Sequence, residues 1–169
     1  SRSIRIGGDE MDSSIVQYIK RMYNLMIGER TAEEVKITIG TAIVTPDTDR
    51  TMDIRGRDLV SGLPKTLTIH AKEIREALNE PIYKIIDAVK GTLEKTPPEL
   101  AADVMDHGIM MTGGGALLMN LDKLLSHETG TPVLVSEEAL SCVGEGTGRT
   151  LENIGLLKSV VMSSKKLKQ

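Results

Sequence analysis

The stretch Gly108-Ile109-Met110-Met111-Thr112-Gly113-Gly114-Gly115-Ala116-Leu117-Leu118 constrains the fold more than any other part of the chain. A short apolar run meets three consecutive glycines and continues into a helix-forming pattern. Such a run allows a tight turn and bares the backbone, so a flat or anionic ligand can approach closely. A helix that follows directly would aim its free N–H groups and positive dipole end into the same space. Strand, glycine turn, helix is therefore a candidate resting place for a nucleotide. A plain strand-to-helix connection with no ligand satisfies the same pattern. The stretch is not a P-loop, because no Gly-Lys-Ser/Thr follows. It also lacks the G-x-G-x-x-G spacing of a dinucleotide fold.

With 169 residues, 40% hydrophobic, the chain can bury the core of one ordinary domain or of two small lobes. Its net charge of -3 gives no electrostatic case for nucleic acid. The core must be aliphatic. There is no Trp or Phe, so Ile, Leu, Val and nine Met carry the packing beside Tyr18, Tyr23 and Tyr83. Cys142 is the lone cysteine, which excludes an internal disulfide and suits a reducing cytoplasm. No apolar run approaches the ~20 residues of a membrane span, and no signal peptide is evident. A start at Ser1 with an immediate strand-like pattern reads as part of something longer.

Along the chain, Ser3-Ile4-Arg5-Ile6 alternates like a strand and ends at Gly7-Gly8, after which Asp9 is placed to cap a helix. Ile15, Ile19, Met22 and Met26 form one apolar stripe of that helix, which Gly28 stops. Thr31 and Glu34 have capping-box spacing for a short helix ending near Gly40. The turn-rich segment through Pro46 and Asp49 is an exposed loop. Segments 51–55 and 65–69 alternate around Ser61-Gly62-Leu63-Pro64 and predict an antiparallel pair. Ile74 to Leu93 carry a helical stripe that Pro81 kinks or splits. Thr96-Pro97-Pro98-Glu99 starts another helix with capping-box spacing. After the glycine turn come a helix from Asn120 to about His127 and a buried strand Val133-Leu134-Val135. Gly144 to Gly148 read as a second glycine-rich connection, into a last helix carrying Leu151, Ile154, Leu157 and Val161; Ser163 to Gln169 form a basic, disordered tail. The second half alternates strands and helices, so the class is α/β.

Few residues suggest chemistry. Glu33 and Lys36 share a helix face, either as a solvated ion pair or as a hold on the polar edges of a base and ribose opposite the glycine turn. His70, His107 and His127 have no ligand spacing, so no zinc site is expected. Asp9 and Asp12 suit a helix start better than a metal. Cys142 is expected to be a small buried residue. Arg55-Gly56-Arg57-Asp58 is expected at an exposed hairpin tip or, more sharply, in a contact with another subunit. No nucleophile–base or acid pair can be assembled, so no catalytic residue is assigned.

Five segments taken in order resemble the MreB family of bacterial actin-like, rod-shape-determining proteins. They are Ile6-Gly7-Gly8-Asp9-Glu10-Met11-Asp12, the stretch from Tyr23 to Glu33, Ile54-Arg55-Gly56-Arg57-Asp58-Leu59-Val60-Ser61-Gly62-Leu63-Pro64, Thr96-Pro97-Pro98-Glu99-Leu100 and Thr112-Gly113-Gly114-Gly115-Ala116-Leu117-Leu118. The resemblance spans essentially the whole chain. It implies an α/β, actin-like ATPase fold, of which this chain is the C-terminal half, the second, ribonuclease H-like domain. Residues 1–7 and 87–169 would form its larger subdomain, and residues 8–86 a smaller α+β outer subdomain. It implies ATP, taken as Mg-ATP by the full-length parent. Thr31, Ala32, Glu33, Glu34 and Lys36 would face Gly113, Gly114, Gly115 and Ala116 across the adenosine, with Gly8 near the ribose.

The family's two phosphate loops, Asp-Leu-Gly-Thr and Asp-Ile-Gly-Gly-Gly-Thr, have no counterpart here, and its magnesium-binding residues belong to the other half. The expectation is that this polypeptide alone does not hydrolyse ATP. The resemblance further implies self-association into filaments, cell-wall elongation proteins as partners, and a cytoplasmic location. Membrane contact would come through the first domain. The competing reading is a free-standing actin-like half acting as a protein-binding adaptor without nucleotide. For the isolated chain, dimerisation or strand exchange at Ile4–Ile6 is expected.

Overall fold

The computed structural model describes residues 1–153 and residue 155. Helix α1 (Gly8–Tyr23) buries Met11, Ile15, Tyr18 and Ile19 on one face, the i, i+4 spacing of a single stripe. Asn24, in the left-handed conformation, ends it, and the two-residue strand β1 (Leu25–Met26) follows. Helix α2 (Glu29–Ile39) buries Ala32, Val35 and Ile39. The hairpin forms as its alternation predicts: β2 (Thr51–Asp58) and β3 (Pro64–His70) pair antiparallel from Thr51↔His70 to Arg57↔Pro64. Strand β1 adds to the other edge of β2, Leu25 opposite Asp58, completing a three-stranded sheet. Gly56 lies where β1 crosses; a Cβ there would sit 2.4 Å from the Met26 carbonyl oxygen.

Helices α3 (Ala71–Ala77) and α4 (Asn79–Leu93) meet at Leu78, so the stripe is split just ahead of Pro81. The proline occupies the first turn of α4, where its missing N–H costs nothing. Glu73 secures the start of α3 by accepting from the His70 N–H at 2.9 Å and from the Tyr23 hydroxyl. Helix α5 (Pro98–His107) leads into β4 (Ile109–Met111), which pairs in parallel with β5 (Val133–Val135) across α6 (Leu121–Thr129). Helix α7 (Cys142–Glu152) is the last described element.

One apolar cluster joins these parts. It includes Ile15, Val35, Ile54, Ile69, Ile74, Ile82 and Ile86 and continues without a break into Leu118, Leu121, Leu125 and Val133. A parallel bridge between Thr41 and Met119 ties the loop after α2 to the segment after the glycine turn.

Several local expectations fail, each for a physical reason. Residues 1–6 form no strand, and Ile4 is exposed: no described strand lies beside it to pair its backbone. Gly7, not Asp9, is the N-cap of α1, and Asp9 and Glu10 serve its first turn, where the dipole favours carboxylates. The helix stops at Asn24, so Met26 falls outside it and is half-exposed, as is Met22 in the last turn of α1; Gly28 is the N-cap of α2, not a stop. Helix α2 therefore begins three residues early and the Thr31–Glu34 capping box does not form. Nor does the one at Thr96, whose hydroxyl donates back to the Thr92 carbonyl at 2.8 Å. Arg55 to Asp58 lie within β2; the tip is Leu59–Leu63. Gly144 to Gly148 are helical, inside α7, where half-buried Cys142 supplies the first residue. The expectations for Ile154, Leu157, Val161 and the tail from Ser163 lie outside the described residues.

Candidate functional site

The N-terminus of α1, one face of α2 and the glycine turn enclose a cleft of about 600 Å³. Its walls include Gly8, Asp9 and Asp12 from α1, Glu33, Lys36 and Ile37 from α2, and Gly114 and Gly115 from the turn, with Leu117, Leu118 and Leu140 adding apolar surface. Segments about 80 residues apart in the chain thus face one another. Glu33 and Gly114 share this cavity, as the sequence reading requires.

The glycine turn is shaped by its backbone. Gly113 takes φ +82°, a conformation that side-chain-bearing residues rarely adopt, and its N–H donates to the Ala139 carbonyl at 2.6 Å. Gly114–Leu117 then form a four-residue 3-10 turn, and the next α-helix starts only at Leu121. The expected helix dipole behind the glycines is therefore absent from the turn. What the turn offers is bare backbone: a Cβ on Gly115 would meet no atom within 4 Å, so a residue there would intrude on open space.

Glu33 and Lys36 do not pair with each other. The Lys36 ammonium reaches α1 instead, lying 2.8 and 2.9 Å from the two Asp12 carboxylate oxygens and 3.3 Å from the Gly8 carbonyl oxygen. Burial makes this partner preferable: Asp12 is 8% exposed, and an uncompensated carboxylate there would be costly. Glu33 is left exposed, facing the cleft. Of the other expected site residues, Thr31 is half-buried, Ala32 is buried in the core and Glu34 is exposed away from the lining. Ala116 is also buried, and half-buried Gly113 is not among the residues that line the cleft. Sequence reasoning missed Asp12 as a cleft residue, because its partner is 24 positions away and no local spacing signals the pairing. Among the described residues no cluster of His, Cys, Asp and Glu is arranged to hold a metal.

An α/β chain with a glycine turn facing a helix across a cleft belongs to the actin-like fold class, and comparison with known structures agrees. The chain belongs to the MreB/Mbl protein family, whose model matches residues 1–159. It is 52% identical over 158 residues to the cell shape-determining protein Mbl of Bacillus subtilis, covering 93% of this chain and 47% of that one. With the cell shape-determining protein MreB of Escherichia coli it shares 49% identity over 156 residues, 92% of this chain and 45% of that protein. The crystal structure of MreB5 of Spiroplasma citri bound to ADP superposes with a TM-score of 0.86 at 44% identity, covering 90% of this chain and 46% of that one. The chain spans about half the length of the curated relatives it matches.

Proposed function

We propose that this chain forms the nucleoside side of an ATP-binding cleft in a bacterial, filament-forming cell-shape protein. The observation that carries the reading is that Glu33, Lys36, Gly114 and Gly115 line one cleft. The charge of that wall decides which end of the nucleotide it suits. Asp9, Asp12 and Glu33 contribute three carboxylates against the one lysine, and Asp12 already neutralises that lysine. A triphosphate needs cations and donors around its oxygens. Adenine and ribose need a flat bare surface and a few polar edges, and the glycine turn with Glu33 and Lys36 offers these. When bound, ATP would bring the hydrolysable phosphates and their magnesium; this chain's residues would orient the base and sugar and exclude water from them. In this arrangement residues 8–86 are the smaller outer subdomain and residues 1–7 with 87–169 the larger one. Phosphate binding and hydrolysis fall to a partner domain. Crystallised MreB5 of Spiroplasma citri, a relative at 44% identity, holds ADP.

The same reading gives the hairpin tip a role in self-association. Leu59, Val60 and Leu63 stand exposed at the tip, Val60 at 84%. The Asp58 carboxylate holds the loop in shape by accepting from the Val60 and Ser61 N–H groups at 2.9 Å and from the Lys65 ammonium at 3.0 Å. A rigid loop that presents apolar side chains suits a contact with a second subunit in a filament. The setting is then cytoplasmic and membrane-apposed, with wall-elongation proteins as partners.

Calorimetric titration of ADP and of adenosine into this chain tests the cleft. Similar affinities for the two, both lost in Glu33→Ala, are expected; binding of ADP that survives Glu33→Ala, or no binding at millimolar ligand, would overturn the reading. Pelleting of a longer protein that contains this chain tests the contact, with Val60→Asp expected to abolish ATP-dependent sedimentation.

A further inference from the structure

We propose that Asp12 is a positioning residue of the cleft: its buried carboxylate holds the Lys36 ammonium against the Gly8 carbonyl and so aims the remaining lysine N–H at the ligand. The inference rests on the nucleoside reading of this cleft. It adds a residue that contributes no ligand contact of its own.

The geometry carries it. A lysine ammonium has three N–H donors. One goes to Asp12 Oδ2 at 2.9 Å and one to the Gly8 carbonyl at 3.3 Å. Asp12 Oδ1 lies just as near the nitrogen, 2.8 Å, yet off the hydrogen-bonding direction, and it is fully buried with no other partner. The carboxylate therefore clasps the ammonium from beneath, with Oδ1 fully buried and only 11% of the Asp12 side chain exposed at the cleft wall. Lys36, with its side chain 15% exposed, keeps its last donor on the cavity side, where it lines the wall beside Glu33.

The fixing is three-cornered. Asp12 sits one turn beyond Gly8 on α1, and Lys36 comes from α2, so the ammonium ties the first turn of one helix to the last turns of the other. A Cβ on Gly8 would stand 3.2 Å from the lysine nitrogen, so glycine at this position leaves the ammonium free to approach the backbone. Without Asp12 the lysine has a flexible four-carbon stem, with the half-buried Gly8 carbonyl and solvent to choose between. Its donor would then be placed by chance, and binding would carry the cost of ordering it.

Two measurements on the intact chain test this, using Asp12→Asn, Lys36→Met and the double variant. The first is competitive acylation with acetic anhydride, read lysine by lysine by mass spectrometry with no nucleotide present. Lys36 should react several-fold more slowly than exposed Lys123, and Asp12→Asn should bring it close to the Lys123 rate. An unchanged Lys36 rate in Asp12→Asn overturns the proposal, whether or not the chain binds nucleotide. The second is ADP affinity. Asp12→Asn should weaken it about tenfold, about 1.4 kcal/mol, with Lys36→Met at least as weak and the double variant no weaker than Lys36→Met alone. Additive losses, or an Asp12→Asn affinity within twofold of the parent, would refute action through Lys36. Absence of ADP binding by the unsubstituted chain would remove the nucleoside reading instead, leaving the acylation result to judge the clasp. Urea midpoints of all variants separate a folding defect from either outcome.

Discussion

Replacing Gly56 by alanine should destabilise the chain by about 2–3 kcal/mol, through a single backbone crossing. The new Cβ would lie 2.4 Å from the Met26 carbonyl oxygen, 2.9 Å from Leu25 Cγ and 3.1 Å from Ile27 Cγ2. Close carbon–oxygen contacts in sheets settle near 3.3–3.6 Å, so β1 must retreat by roughly 1 Å. The obstacle is backbone and cannot swing aside. Retreat loosens the Leu25↔Asp58 and Met26↔Arg57 pairing and partly unpacks Leu25, which is fully buried, and Ile27. Overpacking of this kind costs about 1–3 kcal/mol, and the disturbed packing of Leu25 puts the sum in the upper part of that range. With a urea slope of roughly 2 kcal/mol per molar, the midpoint should fall by about 1–1.5 M. Gly148→Ala is the matched control. It lies inside α7, where an added methyl would meet no atom within 4 Å, and should raise stability by up to about 1 kcal/mol. A Gly56→Ala midpoint within about 0.3 M of the parent, at unchanged slope, would refute the reasoning.

Three further outcomes follow from the packing and the charges. Leu121→Ala, at a 2%-exposed position in the part of the core beyond the hairpin, should cost about 2–5 kcal/mol in urea denaturation; a loss under about 1 kcal/mol would mean that α6 is not anchored there. Asp58 titrates well below the ordinary aspartate value of 3.8, because the Ser61 N–H, the Lys65 ammonium and the Val60 N–H all donate to its ionised form. Its contribution to the tip is therefore complete above that value and is lost as the pH falls from there towards its lower folded value. Hydrogen exchange at Val60 and Ser61 should accelerate over that acid range relative to the intrinsic rate, and Asp58→Asn should abolish the transition. Tyr18 and Tyr23 are both pushed up to about 12, Tyr18 chiefly by burial and then by its bond to Glu76, Tyr23 chiefly by its bond to Glu73 and then by burial. The protonated hydroxyls are thus favoured in the fold. Their contribution is full below the ordinary value of 10.0 and is lost as the pH rises through about 12. Tyrosinate absorbance should show two groups titrating late in the folded chain, and Tyr23→Phe should remove one of them.

The patterned elements were legible because their signal is local. The alternation of β2 and β3 and the stripe of α4 each sit in a window of a few residues and form as read; β5 forms where expected, but only Val133 is buried and Leu134 stands 52% exposed. Helix starts were read less well. Thr31 and Thr96 have capping spacing, yet α2 begins at Glu29, where docking of its buried face sets the start, and α5 begins at Pro98, whose ring presets the first helical position. At the cleft, the glycine turn and Glu33 were visible and do line one cavity. The Asp12–Lys36 clasp was not, since it depends on two helices meeting through residues 24 apart that carry no mutual pattern. The edge strand Leu25–Met26 escaped for a related reason: two residues are too short for any period to show, and only β2 beside them makes them a strand.

The unbroken core from Ile54 through Ile86 to Leu125 has a mechanical consequence. Interiors packed at crystal-like density transmit displacement and resist compression, so the hairpin strands, through Ile54 and Ile69, and the segment after the glycine turn, through Leu118, share one stiff body. A displacement of Leu118, just after the glycine turn, is on that argument passed to Ile54 and Ile69 in the hairpin strands instead of being absorbed between them.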